Sequence, residues 1–445
     1  MRKFPKVSIL IALAFLTVTG CESESTISGQ NPVVNQTPES PDNELFIFTG
    51  DQLFNKRYLK EENFDLLIGQ FIKKKFPNIK IKHVQWDNPG RQYQDLVAAG
   101  TIPDIIFEDA RRNTYRSIRK YDLQWDMTDL IKKYNFDTNK LNPAMMQQSM
   151  NTSDGKLYSL PFEGSDYLLF YNKDIFDKFG VDYPKPGMTY DEVYELSKKL
   201  TRQEGDITYK GYQQHPEYYM TYNQLSEPAL DPNEDKSSMV SSKWVRVVDN
   251  LRRFYDIPGN QFTTVKDFPK GHIAMAVDVE ESIVDWSQNK DLNFDVSSVP
   301  VFPEAPSYKY QPYSLGAFIT KQSTKKDLAF QVLAYLLSEE VQIERAKQGI
   351  SSPLMSPVVQ QAYGQGVQQL KGKNLQSLFA LKNAMPAPRK PDLTFIDPKT
   401  SMVFPLIWKE SKDSQTALRM INDVMNKAIE ESKALQKDGV ASPHL

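Results

Sequence analysis

The side chains in this chain best suited to chemistry are carboxylates and flat aromatic rings placed just beyond runs of apolar residues. Asp51 follows the run Leu45–Thr49, Trp86 follows Ile79–Val84, and Asp109 follows Ile102–Phe107. If those runs are strands, the residues directly after them open onto the carboxyl end of a sheet, where α/β folds hold ligands. Further along, Glu163, Asp166 and Tyr167 fall close together, and Tyr222 sits in a tyrosine-rich stretch. Asp278, Glu280 and Trp286 follow Ile273–Val277, and Tyr313 precedes a run that starts at Gly316. Carboxylates accept hydrogen bonds from hydroxyl groups, and ring faces stack on apolar C–H surfaces. The chemistry on offer is recognition.

Covalent chemistry is poorly supplied. No HExxH, GxSxG, phosphate loop or GxGxxG occurs, so no catalytic residue and no cofactor is expected. Glu280 and Glu281 are adjacent, and on a strand adjacent side chains point to opposite faces. The four histidines (His83, His215, His272, His444) lack metal-ligand spacing, and one cysteine cannot form an intramolecular disulfide. A net charge of −2 over 445 residues argues against a nucleic-acid partner.

That cysteine, Cys21, has an address instead. Arg2, Lys3 and Lys6 precede an apolar stretch, Val7 to Thr19, of the length expected for a signal peptide and short for a membrane span. The stretch ends in Val18-Thr19-Gly20-Cys21, which resembles the bacterial lipobox. Residues 1–20 are expected to be a lipoprotein signal peptide and Cys21 the lipidated (diacylated, palmitate-bearing) membrane anchor. Residues 21–44 are rich in Ser, Glu, Asn and Pro and read as a flexible tether.

Periodicity then assigns the elements that must position the candidate residues. Leu45–Thr49 is a buried strand, Phe64–Lys75 an amphipathic helix, and Ile79–Val84 a second strand. Tyr93–Ala99 is a helix closed by Gly100, and Ile102–Phe107 a third strand, giving β-α-β-α-β and hence a parallel sheet. A second α/β stretch starts at Tyr167–Tyr171, with Pro161–Gly164 breaking the segment before it. Thr189 and Glu192 form a capping box for a helix to Leu200. Thr201–Asp235 reads as a long loop with short helical pieces. Strands follow at Ile273–Val277, Phe294–Val301 and Gly316–Ile319. Helices cover Lys243–Tyr255, Lys325–Leu337 and about 413–437.

Four segments together resemble family 1 extracellular solute-binding proteins, the group of maltose-binding-like sugar lipoproteins. They are Leu96-Val97-Ala98-Ala99-Gly100-Thr101-Ile102-Pro103-Asp104-Ile105-Ile106; Asp154–Pro161 with Phe170–Phe176; Gly271-His272-Ile273-Ala274-Met275; and Lys326–Gln342. The resemblance implies an α/β, two-lobe periplasmic-binding-protein-like (type II) fold with multiple crossover segments and a ligand cleft between the lobes. It sets one lobe at 45–157 plus 296–325 and the other at 158–295 plus 326–445. Crossings are implied near Asp154–Phe162, Phe294–Pro300 and Thr320–Asp327. The implied function is capture of a carbohydrate for an ABC permease by a monomeric, membrane-anchored protein. Glu163, Asp166 and Tyr167 then lie at the first crossing, and Trp86 on an aromatic wall. Where relatives carry Gly-x-Trp after the Gly271–Met275 segment, this chain has Asp278-Val279-Glu280-Glu281, a more acidic wall. A peptide or polyamine ligand, or a surface glycosidase, are the alternatives.

Overall fold

The computed structural model describes residues 43–50, 61–86, 90, 92–153 and 155–437, which form one compact unit. Cys21, the signal segment, the expected tether up to residue 42, and Asp51 lie outside the described residues, whereas Glu44, expected as the tether's last residue, already belongs to the first strand. Nine strands build two sheets: β1 (Glu44–Thr49), β2 (Lys80–Gln85), β3 (Ile105–Asp109), β4 (Ser159–Ser165), β5 (Tyr167–Asn172), β6 (Gln213–Gln214), β7 (Met275–Val279), β8 (Phe294–Ser298) and β9 (Tyr313–Ile319). The first sheet runs β2-β1-β3-β9-β4, parallel over its first three strands and antiparallel at β9. The second runs β8-β5-β7-β6, with β5 antiparallel to both neighbours.

Both sheets are covered on both faces, as strands made almost wholly of large apolar residues require. On β1, Leu45 and Ile47 enter one core cluster while Phe46 and Phe48 enter another. On β5, Leu168 and Phe170 face one cluster and Tyr167, Leu169 and Tyr171 the other. The helix expected at Phe64–Lys75 runs from Glu61 but widens into a π turn at Asp65–Gly69. The extra residue of that turn rotates the apolar stripe, so Ile72 is buried and Phe71 only half-buried.

Several expectations shift. Pro161 does not break the chain; it lies inside β4, opposite Gly316 at a bulge. Proline is tolerated there because β4 is an edge strand and needs no ladder N–H on its outer side. Met275–Val279 extends past the expected strand, so Asp278 is within β7 and Glu280 just beyond it. The long loop 201–235 supplies β6 and a short helix, Pro216–Thr221. The third crossing is not at Thr320–Asp327, because helix Lys326–Leu336 stays on the first sheet against β9. There Phe330 stacks with Tyr134 at 5.5 Å. The register likewise keeps β4 with the first sheet, although the expected boundary at 157/158 precedes it. The first passage between the sheets is a single residue, Asp166, and the chain returns through residues 299–312.

The Pro103-Asp104 step has a structural role. Asp104 is buried and its carboxylate accepts Phe46 N at 2.9 Å and Ser323 Oγ at 2.6 Å. Thr320 Oγ1 donates to Pro103 O at 2.6 Å. These bonds tie the starts of β1 and β3 to the end of β9. Asp104→Ala would leave the buried Phe46 amide unpaired, a loss of about 1–3 kcal/mol, so the urea midpoint should fall. An unchanged midpoint would show that the knot carries no stability.

Candidate binding cleft

The carboxyl ends of β1, β2 and β3 and the start of β9 open onto a cavity of about 620 Å³, closed on its other side by Glu217 and Tyr218 of helix Pro216–Thr221. Because that helix follows β6 of the second sheet, the cavity lies between the two lobes. Five aromatic rings line it: Trp86, Tyr93, Tyr121, Tyr218 and Tyr313. Gln92, Gln94, Asn113 and Ser117 add hydrogen-bonding groups, and Arg112 and Arg116 add positive charge. A volume of this size accepts a small-molecule ligand, and rings mixed with amides suit one with both C–H faces and hydroxyls.

The acids of the first lobe are held by the protein itself. Glu108 accepts from the Tyr93 hydroxyl at 2.7 Å, Asn113 Nδ2 at 2.7 Å and Asp109 N at 3.0 Å. Asp109 accepts Arg111 N at 2.6 Å and Arg112 N at 3.1 Å, capping the turn after β3. Gly50 lets this network form, because a Cβ at that position would overlap Glu108 Oε2 and the Tyr93 hydroxyl. Trp86 is half-buried, and its indole Nε1 has no partner among the described residues.

Of the residues singled out from the sequence, Trp86, Asp109 and Tyr313 line this cavity. Tyr222 lines a neighbouring cavity of about 150 Å³ with Arg111, whose guanidinium lies 5.5 Å from its ring. Burial pushes the Tyr222 hydroxyl pKa up, and Arg111 pulls it partly back. The others lie elsewhere. Glu163 is fully buried in an ion pair with Arg345 at 2.6 Å. Asp166 is paired with Lys309 at 2.8 Å where the sheets meet. Tyr167 packs edge-on to Tyr310 at 5.3 Å, and burial raises its hydroxyl pKa well above the ordinary value. Asp278 accepts Lys266 Nζ at 2.8 Å and Ser282 Oγ at 2.7 Å. Glu280 accepts Ser351 Oγ at 2.7 Å in a buried position.

Trp286 is a core residue and not a cleft wall: it stacks on Phe268 at 4.9 Å and meets Phe170 at 4.5 Å. Helix Ser282–Trp286 turns it under the second sheet, a direction that spacing after a strand cannot reveal. Glu280 and Glu281 are not on a strand, yet they still engage separate partners, since Ser165 Oγ donates to Glu281 at 2.9 Å. The residues missed by sequence reasoning are Tyr93, Tyr121, Tyr218 and the arginines. The doublet Arg111-Arg112 with Arg116, one residue beyond Glu108-Asp109, was the available signal.

With this geometry, similarity to known proteins becomes specific. The model of the bacterial extracellular solute-binding protein family matches residues 68–371, more than half of the chain. The chain belongs to that family. Among solved structures, this solute-binding protein is similar to the sugar-binding protein MalE from Xanthomonas citri, with TM-score 0.68, 15% identity, and 88% of this chain and 99% of that one covered. It is also similar to an ABC substrate-binding protein from Listeria monocytogenes in complex with cycloalternan, with TM-score 0.63, 20% identity, and 87% and 99% covered. Both likenesses establish the two-lobed fold. In sequence, it is 29% identical to the arabinooligosaccharide-binding protein of Bacillus subtilis over 206 residues, 44% of this chain and 41% of that protein. It is 39% identical to the sn-glycerol-3-phosphate-binding protein UgpB of Brucella abortus over 67 residues, 15% of each. The chain thus matches less than half the length of these curated relatives. No helix among the described residues is long and apolar enough to cross a membrane.

Gly50→Ala should force apart the Tyr93–Glu108 pair, lower stability by about 1–3 kcal/mol and perturb the cavity wall. A thermal melt and a crystal structure of the variant would check this. Retention of the Tyr93–Glu108 bond would refute it.

Proposed function

We propose that this solute-binding protein captures a carbohydrate, an oligosaccharide, by closure of its two lobes and delivers it to the permease of an ABC importer. The reading rests chiefly on the inter-lobe cavity of about 620 Å³ and its aromatic lining, in which the partly buried rings of Trp86 and Tyr218 are the candidate stacking faces for sugar units. The sugar ligands named for its structural neighbours and for the arabinooligosaccharide-binding relative support the same class. It acts as a binder and not as an enzyme: the acids of the cavity's first-lobe wall are spent on protein amides and hydroxyls, which leaves no free pair placed for acid–base work. The protein works as a monomer held at the outer face of the membrane by lipid on Cys21, with residues 1–20 removed and 21–44 as the tether. We place the main passage between the lobes at Asp166.

Screening a saccharide library by thermal shift tests the ligand class. A sugar at 100 times its dissociation constant should add about 2.7 kcal/mol of stability. A response to peptides or polyamines alone would replace the carbohydrate reading. For the anchor, Cys21→Ser should move the protein from the membrane fraction into the soluble extracytoplasmic fraction. Unchanged membrane association would exclude lipidation at that residue.

A further inference from the structure

Five charged side chains line the cleft, the carboxylates Glu108, Asp109 and Glu217 and the guanidiniums of Arg112 and Arg116, and a neutral sugar calls for neither arginine's charge. Arg112 and Arg116 both line the large cavity, and both direct their guanidiniums to one carboxylate oxygen, Asp397 Oδ2, at 3.4 and 3.0 Å. Lys399 Nζ approaches the same oxygen at 3.9 Å. Three cations therefore converge on a single anion. Neither arginine makes the two-pronged contact that guanidinium and carboxylate favour, in which two N–H groups meet two oxygens. The two arginine side chains stay 27% and 34% exposed, and Arg116 Nε is buried with no partner among the described residues.

Asp109 attracts both arginines through space, while its carboxylate hydrogen-bonds to backbone amides. Glu108 is occupied by Tyr93, Asn113 and an amide, and Asp109 by two amides. Glu217 faces from the other lobe and is exposed. A guanidinium partly shielded from water gains most from a ligand oxyanion with free lone pairs.

We infer that Arg112 and Arg116 form an anion-reading subsite, and that the preferred ligand is a saccharide bearing a carboxylate, sulfate or phosphate. The inference rests on the carbohydrate reading and narrows it. Asp397 holds the arginines in place when the cleft is empty and shares them when an acidic sugar enters. Rings of the cavity stack on the sugar faces, and the arginines select the charged substituent.

The test uses calorimetric titration of the mature protein with trigalacturonate, its fully methyl-esterified form, maltotriose, a sugar phosphate and inorganic phosphate. An interaction of roughly 1.5–3 kcal/mol for hydrogen bonds to a charged group corresponds to about 10–100-fold in affinity. The acid form, or the sugar phosphate, should bind at least about tenfold more tightly than the neutral sugars, and the preference should shrink with added salt. Arg112→Gln with Arg116→Gln should abolish that preference. Arg116→Lys, which keeps the charge, should retain part of it. If the double variant fails to fold, the salt-dependent acid-against-ester difference in the unmodified protein still decides. Equal affinity for ester and acid would overturn the inference and leave the carbohydrate reading intact. No response to any saccharide, or inorganic phosphate binding as well as the sugar phosphate, would overturn both.

Discussion

The architecture depends on one buried ion pair. Asp166 is the only residue between β4 of the first sheet and β5 of the second, and its Oδ2 receives Lys309 Nζ at 2.8 Å with both side chains more than nine-tenths buried. Lys309 lies on the return connection between β8 and β9, so the pair joins the outgoing and returning crossings. Two charges removed from water are tolerable only when their remaining hydrogen-bonding capacity is filled. It is filled here: Asp166 Oδ1 takes Asn383 Nδ2 at 2.6 Å, and Lys309 also donates to Leu378 O at 2.7 Å. The Asp166 carbonyl accepts Glu280 N at 2.8 Å, which ties in the end of β7. The pair thus ties two of the connections between the sheets together at one place.

The other acids near the crossing follow the same logic. Glu163, Glu280 and Glu281 each meet a specific donor: Arg345, Ser351 and Ser165. Arg345 also lies over the Phe162 ring at 4.2 Å, so its charge is enclosed on the apolar side as well. The region where the sheets meet is therefore built from paired charges, and in the cleft beside it the first-lobe acids Glu108 and Asp109 are engaged while the arginines crowd one carboxylate. The division leaves the binding surface with rings, amides, guanidiniums and the exposed Glu217 as its available contacts.

Tyrosine serves both regions in different ways. Tyr190, Tyr212, Tyr219 and Tyr310 are buried, and burial raises their hydroxyl pKa values, keeping them neutral donors. The Tyr190 and Tyr310 hydroxyls meet at 2.5 Å, and Gln214 Nε2 joins them at 2.6 Å. In contrast, Tyr93, Tyr121 and Tyr218 are only partly buried and present their rings to the cavity. One residue type thus builds a core network and a recognition surface, according to which face of its element looks inward.

The sequence by itself determined the sheet-forming runs, the helix cap at Thr189, and the family, because these depend on local periodicity and short-range hydrogen bonds. It also put Trp86, Asp109 and Tyr313 at the cleft, since position relative to a strand end is a local property. Tertiary structure decided what local pattern cannot carry. Whether an acid is free or paired depends on partners far along the chain, as with Glu163 and Arg345 or Asp166 and Lys309. Trp286 looked like a wall residue until a short helix turned it into the core. The meeting of Arg112 and Arg116 with Asp397 joins residues 281 or more positions apart, a distance over which spacing has no meaning and only packing can bring charges together.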